Sequence, residues 1–453
     1  MLKEVLARFE QREATSVMAR VTLERAIDPA WVDQMFEDHR QRQYPRELLF
    51  STVVELITLV SLGLRPSLHA AAKRAEQLPV SVAALYEKVK RTEPAVMRAL
   101  VSGSAQRLAP VVDAMEPETS LPGWQLRVLD GNHLPASDKR LGALRGQRAA
   151  ALPGHTLVVY DPDATLVTDI VPCEDAHASE RSVAAVLVEG SGAGELWIGD
   201  RNFCTLALMQ GWHDAQANFI VREHTKHPRV LCEHQWVACG SVETGQVREQ
   251  LIDLAEGQTP WRRIELQLTA PTEDGDTVIR LWSNLPAQVS AQRIAEVYRK
   301  RWKIEGMFQR LEAVLNSEIR SFGHPRAALL GFAAAVLAYN VLSVLKRSIE
   351  HVHRDTAPDL DVSTYYLATE ISAAYHGMLV ALPPELWASW ADAKPSAIAR
   401  RLLELARHVN PKHVSTHKRG PKQRAAKAYV DHATASAHVS TARVLKQARS
   451  QRP

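Results

Sequence analysis

Residues 126–131 read Leu-Arg-Val-Leu-Asp-Gly, a short apolar run that ends on a carboxylate and a glycine. A run of this kind, stopped by a turn signal, predicts a buried strand over Leu126–Leu129. Reading outward, His155–Tyr160 and Thr165–Val171 are two further strands around the turn sequence Asp161-Pro162-Asp163-Ala164. A helix follows at Ser179–Val188, then a buried strand at Glu195–Ile198 that ends on Gly199-Asp200. A helix at Phe203–His213 and a strand at Asn218–Val221 complete the run. The order β-β-β-α-β-α-β describes an α/β domain with a mixed sheet. It sets the first and fourth strands side by side at the sheet centre. Asp130 and Asp200 then stand at neighbouring strand ends, on a rim that a ligand can reach.

The flanks differ in character. Residues 1–116 read as helical throughout, with apolar positions at three- and four-residue spacing and short breaks at Pro45, Gly63, Pro66 and Pro79. Ser67–Gln77 and Ser81–Arg91 form a helix pair in which each member opens on a capping Ser. The pair reads as a DNA-binding helix-turn-helix presenting Lys88, Lys90 and Arg91, or as an ordinary helical hairpin. Residues 222–285 return to β character at Gln235–Cys239, Val247–Leu254, Arg263–Thr269 and Thr277–Leu281. That is too long for a loop and reads as an inserted β subdomain. Helix resumes at Ala291–Leu315 and continues to about His408.

Composition narrows the class. The chain has 453 residues, 46% hydrophobic and 23% charged, which excludes a wholly disordered chain, a collagen and a small disulfide scaffold. Cys173, Cys204, Cys232 and Cys239 are few and irregularly spaced, as in a reducing compartment. Met1–Glu24 lacks the apolar core of a secretory signal, so a cytoplasmic protein is expected. Leu48–Leu64, with Glu55 at its centre, and Ala327–Leu345, interrupted by Gly331, Tyr339 and Asn340, read as buried helices, not membrane spans. Net charge is +4 overall, but residues 400–453 hold thirteen Lys or Arg against Glu404 and Asp431. This basic block, with Lys418, Arg419 and Lys422 at its densest part, suits a polyanion such as nucleic acid, or is a solvated tail.

A third acid joins the two aspartates. In Tyr298-Arg-Lys-Arg301-Trp-Lys-Ile-Glu305, positions 298, 301 and 305 share one stripe of a regular helix, beside an apolar stripe of Ile304, Phe308, Leu311 and Leu315. The stripe supplies a metal ligand, a phosphate clamp and a hydroxyl donor, or else a surface salt-bridge row. Three carboxylates at one rim form an oxygen-rich site suited to Mg²⁺. Two such ions can activate an attacking oxygen and stabilise a leaving one.

YxxRWxIExxF at 298–308, LDG at 129–131 and GDRNF at 199–203 together resemble the DDE transposases of bacterial insertion sequences, in the "insertion sequence four" branch with the YxxRxxxE signature. The resemblance covers about residues 40–425. It implies a ribonuclease-H-like mixed sheet with a β-strand insertion, flanked by helical N- and C-terminal regions. It implies catalytic, metal-holding Asp130, Asp200 and Glu305, two Mg²⁺ (or Mn²⁺) ions per active site, and Tyr298 and Arg301 on DNA phosphate. It also implies terminal inverted repeats and target DNA as partners, a homodimer on paired ends, no membrane, and a nucleoid-associated place in a bacterial cell. The expected division is 1–116, helical and DNA-binding; 117–345, catalytic, with 222–285 inserted; 346–409, helical, for dimer contacts; and 410–453, a basic flexible tail. The signature usually carries a Lys seven residues beyond its glutamate, whereas this chain has Glu312; the departure implies either reduced activity or a phosphate contact taken over by Lys300, Lys303 or Arg310. Some relatives flip a base onto an aromatic side chain of the insertion. Counting back from Asn284-Leu285-Pro286 puts Ile279 in that place, which leaves Trp282 as the stacking candidate.

Other constellations are weaker. Asp161 and Asp163 belong to a turn, and Asp169, Glu174 and Asp175 lie off the rim. His224, His227, Cys232, His234 and Cys239 contain no CxxC pair and resemble a zinc set only loosely. His133 and Asn202 flank the two aspartates as supports or caps. The expected activity is cutting at element ends and joining of 3′-hydroxyls to target DNA. A metal-dependent nuclease on the same core and a catalytically inactive repressor of transposition are the alternatives.

Overall fold

The computed structural model describes residues 2–43, 47–75, 78–226, 228–254, 260–272, 275–416 and 438–450. The N-terminal helices are α1 (Leu2–Arg12), α2 (Ala14–Ala26), α3 (Pro29–His39), α4 (Phe50–Ser61), α5 (Leu68–Arg74), α6 (Val82–Arg91) and α7 (Pro94–Asp113). Ser67 and Ser81 cap α5 and α6 by accepting from the Ala70 and Ala84 amides.

The sheet domain contains β1 (Gln125–His133), β2 (Ala150–Leu152), β3 (His155–Asp161), β4 (Leu166–Cys173), α8 (Glu180–Val188), β5 (Glu195–Gly199), α9 (Leu206–Asp214) and β6 (Asn218–Arg222). Strands β7 (Cys232–Glu233), β8 (Val237–Val242), β9 (Gly245–Asp253), β10 (Trp261–Leu268) and β11 (Val278–Ser283) follow. The order is β4-β3-β1-β5-β6-β11-β10-β9-β7, with β8 on β9. The inserted strands therefore extend the central sheet: β11 pairs antiparallel with β6, Trp282 opposite Val221. The architecture is a ribonuclease-H-like α/β fold.

β1 carries two kinds of pairing, and this sets the rim. It runs parallel to β5 only from Gln125↔Glu195 to Leu129↔Gly199. Against β3 it runs antiparallel as far as His133↔His155. Asp130 consequently lies inside β1 and not at its end, a correction to the expected strand over 126–129. It is nevertheless the first residue beyond the parallel pairing, so it borders the gap where β5 has stopped.

Alternation then assigns the faces. Val128, Val158, Tyr160, Ile198 and Ile220 turn toward one apolar core, and Leu129, Leu157, Val159, Trp197 and Phe219 toward a second under α8 and α9. The first core also takes in residues from Ala14 to Val414. Its axis is α12 (Pro325–His353), which touches α2, α4, α6 and α7. By length and composition α12 could cross a membrane, yet 94% of its most apolar window is buried inside the protein. Asn340 explains the polar break in it: its amide accepts from Val167 N–H and donates to Val167 C=O, each at 2.8 Å, clamping α12 to β4.

Helix α10 (Ala291–Tyr298) and helix α11 (Trp302–Val314) are separated by a 3₁₀ turn at Arg299–Arg301. The single regular helix expected over 291–315 is thus broken at the signature itself. Beyond α12 lie α13 (Thr364–Ala381), α14 (Pro395–Ala406) and the short α15 (Pro411–Val414). The far end of the basic tail is ordered, against expectation: β12 (His438–Ser440) pairs with β2 and leads into α16 (Thr441–Ser450), whose Arg443 reaches Asp175. The unpaired edge of β2 supplies the backbone partners that make this possible.

Candidate active site

Asp130 stands on the α12 face of β1, by the same alternation that places Val128 there. Its Oδ1 accepts from the Gly131 amide at 2.9 Å, and its Oδ2 pairs with Arg301 Nη1 at 3.4 Å. Burial drives this carboxyl up to about 6; Arg301 pulls it down, and Asp200 and Glu180 push it up again. Asp200 opens the turn Arg201–Phe203, its Oδ1 accepting from the Asn202 amide at 2.8 Å.

Glu305 comes from the first turn of α11 and is half exposed. Arg301 Nη2 donates to its Oε1 at 2.9 Å. One guanidinium, largely buried, therefore spans Asp130 on the sheet and Glu305 on the helix. The 3₁₀ turn matters here, because its three-residue period brings Tyr298 nearly into line with Arg301. Tyr298 is buried, its hydroxyl is hydrogen-bonded to Arg301, and burial pushes it up to about 12. Tyr298 thus touches Arg301, and solvent hardly reaches it.

Lys300, Lys303 and Arg310 do not join the acids. They line a cleft of about 740 Å³ with Lys346 and Arg347, on the side of α11 roughly opposite Glu305. Any phosphate they contact would therefore lie on that side of α11 and not beside Glu305. Glu312 is exposed and close enough to Glu318 to raise that carboxyl, after burial. Trp282 is also corrected: it is 1% exposed, in the core under α8 and α9, because β11 is an interior strand of the sheet. Trp302, next to Arg301 in the chain, is the tryptophan that sequence reasoning passed over, at 45% exposure. In α6, Lys88 donates to Leu48 C=O and lies over the Phe36 ring, whereas Lys90 and Arg91 pair with Glu87. Lys418, Arg419 and Lys422 lie outside the described residues.

The acids set aside all have structural partners. Asp161 accepts from the Asp163 and Ala164 amides, and Asp163 accepts from Ser120. Asp169 takes a forked pair from Arg98; Glu174 pairs with Arg326 and Asp175 with Arg443. Cys232 and His234 do approach one another together with Asp253, within 4.8 Å, on an exposed edge.

A residue that sequence reasoning missed completes the picture. Glu180, in the first turn of α8, accepts from Asn202 Nδ2 at 2.5 Å and lies 3.9 Å from His133 Nδ1. The pair His133 and Asn202, flanking the aspartates in sequence, was the signal that could have found it.

Residues 123–341 match the family described as Transposase DDE domain. Over that stretch the chain is similar to the DDE transposases. The matched stretch runs from just before β1 to the middle of α12 and so contains every acid of the rim. A protein of Sinorhizobium fredii (strain NBRC 101917 / NGR234), "Putative transposase y4zB", is 26% identical over 243 residues. That similarity covers 52% of this chain and 64% of the relative. The family generally works with divalent metals. An all-oxygen donor set, with one carboxyl whose charge is disfavoured by burial, fits a hard divalent cation.

Proposed function

We propose that this protein cuts DNA at the ends of an insertion sequence and joins the freed 3′-hydroxyls to target DNA. The observation that carries the reading is Arg301 spanning Asp130 and Glu305, with Asp200 close enough to raise the Asp130 carboxyl. Two neighbouring strands and one kinked helix converge on a gap in the sheet that DNA can reach.

Asp130, Asp200 and Glu305 would hold the divalent cations, Mg²⁺ or Mn²⁺, two per site. When bound, these supply a nucleophilic oxygen and stabilise the leaving one in an in-line displacement. Arg301 fixes the separation of the sheet and helix carboxylates and offers its guanidinium edge to a phosphate. Tyr298 holds Arg301 from below. The helical region 1–116 and the basic tail 410–453 bring the DNA, and a homodimer through 346–409 pairs the two ends. A cytoplasmic, nucleoid-associated protein follows from that substrate.

Incubating the full chain with linear element ends and Mg²⁺, then mapping the cut strands, tests the reading. Nicks at the element boundary followed by joined products support it. Binding without any nick, in Mg²⁺ and in Mn²⁺, leaves the repressor alternative.

A further inference from the structure

We infer that Glu180 is a fourth carboxylate of the same cation site, reaching the rim from the opposite face of the sheet. The inference rests on the reading of Asp130, Asp200 and Glu305 given above, and extends it to a residue outside that set.

Gly131 is the first observation. It follows Asp130 and points to the α8 face, by alternation. A methyl group built there would collide with the Glu180 carboxylate, Oε1 first. Only a residue without a side chain lets Glu180 rest against the backbone beside Asp130. The parallel partner β5 has ended at Gly199, so no strand separates this spot from the rim.

Asn202 is the second. Its backbone amide donates to Asp200, and its side-chain amide donates to Glu180 Oε2. Its own carbonyl oxygens, main chain and side chain, are held by Arg181 Nε. One residue thus sets the positions of both carboxylates, and α8 supplies the arginine that locks it. Charge is the third observation. Glu180 is only 19% exposed, and its one ion-pair partner among the described residues is His133, at 3.9 Å and charged only when protonated. A half-buried carboxylate without a Lys or Arg, next to two other acids, is arranged to share a cation. A residue serving only the helix would need none of this: a glutamate in the first turn favours the helix dipole wherever it points.

The test measures metal, not catalysis. Mn²⁺ is titrated into the full chain without DNA and followed by calorimetry and by loss of the free-ion electron-spin signal. Glu180→Gln keeps an oxygen to accept from Asn202 and removes the charge, and Mn²⁺ affinity is expected to fall on the order of 10- to 100-fold. Gly131→Ala, which displaces an intact Glu180, should give a similar loss, and the double variant should be no worse than either. Thermal melts check that each variant is folded; should Glu180→Gln fail to fold, Gly131→Ala and Glu180→Asp carry the test. If Asp130→Asn and Asp200→Asn weaken Mn²⁺ binding while folded Glu180 variants bind as the unsubstituted chain does, the inference is overturned and the triad reading stands. If the unsubstituted chain binds no Mn²⁺, both fall.

Discussion

Two groups of acids lie within two strands of each other and differ in how their oxygens are used. In the β3–β4 hairpin, Asp161 and Asp163 serve turn amides and Ser120, and Asp169 takes a fork from Arg98. Each has its own partner, chosen by local geometry. At the rim, Asp130 and Glu305 share one arginine, while Asp200 and Glu180 share one asparagine. Four carboxylates with two organising side chains leave acceptor capacity over. A carboxylate whose bonds are complete holds the fold, and a set kept short of positive charge is placed for a ligand.

The comparison can be broken at either end. Asp169→Ala strands Arg98 against β4 and should cost about 2–3 kcal/mol in denaturant unfolding, while strand cleavage stays within a few-fold of the unsubstituted chain. Loss of cleavage without loss of stability would erase the distinction.

Asp130 should behave in the opposite way. Its folded carboxyl titrates near 6, above its ordinary 3.8. Between those values the folded state holds a proton that the unfolded state lacks, so stability falls as pH rises from about 4 to about 6, then levels. In EDTA at neutral pH, Asp130→Asn should therefore stabilise the chain, on the order of 1–2 kcal/mol after allowance for partial exposure. Its stability should also vary less across that window. A destabilised Asp130→Asn protein with unchanged pH dependence would make Asp130 another structural acid.

The tail sharpens the comparison from the side of DNA. Deleting residues 410–453 should flatten the salt dependence of DNA binding by about 0.9 for each phosphate that the tail neutralises, with preference for element ends retained. An unaltered slope would remove the tail from binding. The smallest effect is expected from Glu312→Lys, which puts a cation on the exposed side of α11. End binding should tighten a few-fold, on the scale of one exposed charge pair, and weaker binding would mean that Glu312 belongs to the working geometry.

Much of this was legible in the residues. The runs before LDG and GDRNF marked two buried strands with a carboxylate where each apolar run stops, although β1 continues past Asp130 to His133. The hairpin around Asp161–Ala164 and the apolar burial of 327–345 followed from turn chemistry and length. The kink at Arg299–Arg301 was not legible, since Tyr298, Arg301 and Glu305 satisfy helical spacing; the buried Tyr298 hydroxyl contact with Arg301 is a tertiary matter. Trp282 looked available because the insertion read as a separate subdomain, and its strands instead continue the sheet. Lys300, Lys303 and Arg310 looked interchangeable with a residue at 312, until α11 turned them to the far side. Glu180 had no local mark at all, because its meaning depends on the missing side chain of Gly131, 49 positions earlier.

The most direct test is strand cleavage by Asp130→Ala, Asp200→Ala and Glu305→Ala proteins on labelled element ends in Mg²⁺, resolved on a denaturing gel beside the unsubstituted chain and Asp161→Ala. Each of the three should remain folded and hold the ends while cleavage drops at least about 100- to 1,000-fold, and Asp161→Ala should still cut. A Glu305→Ala protein that nicks the element boundary at the normal rate would contradict the account.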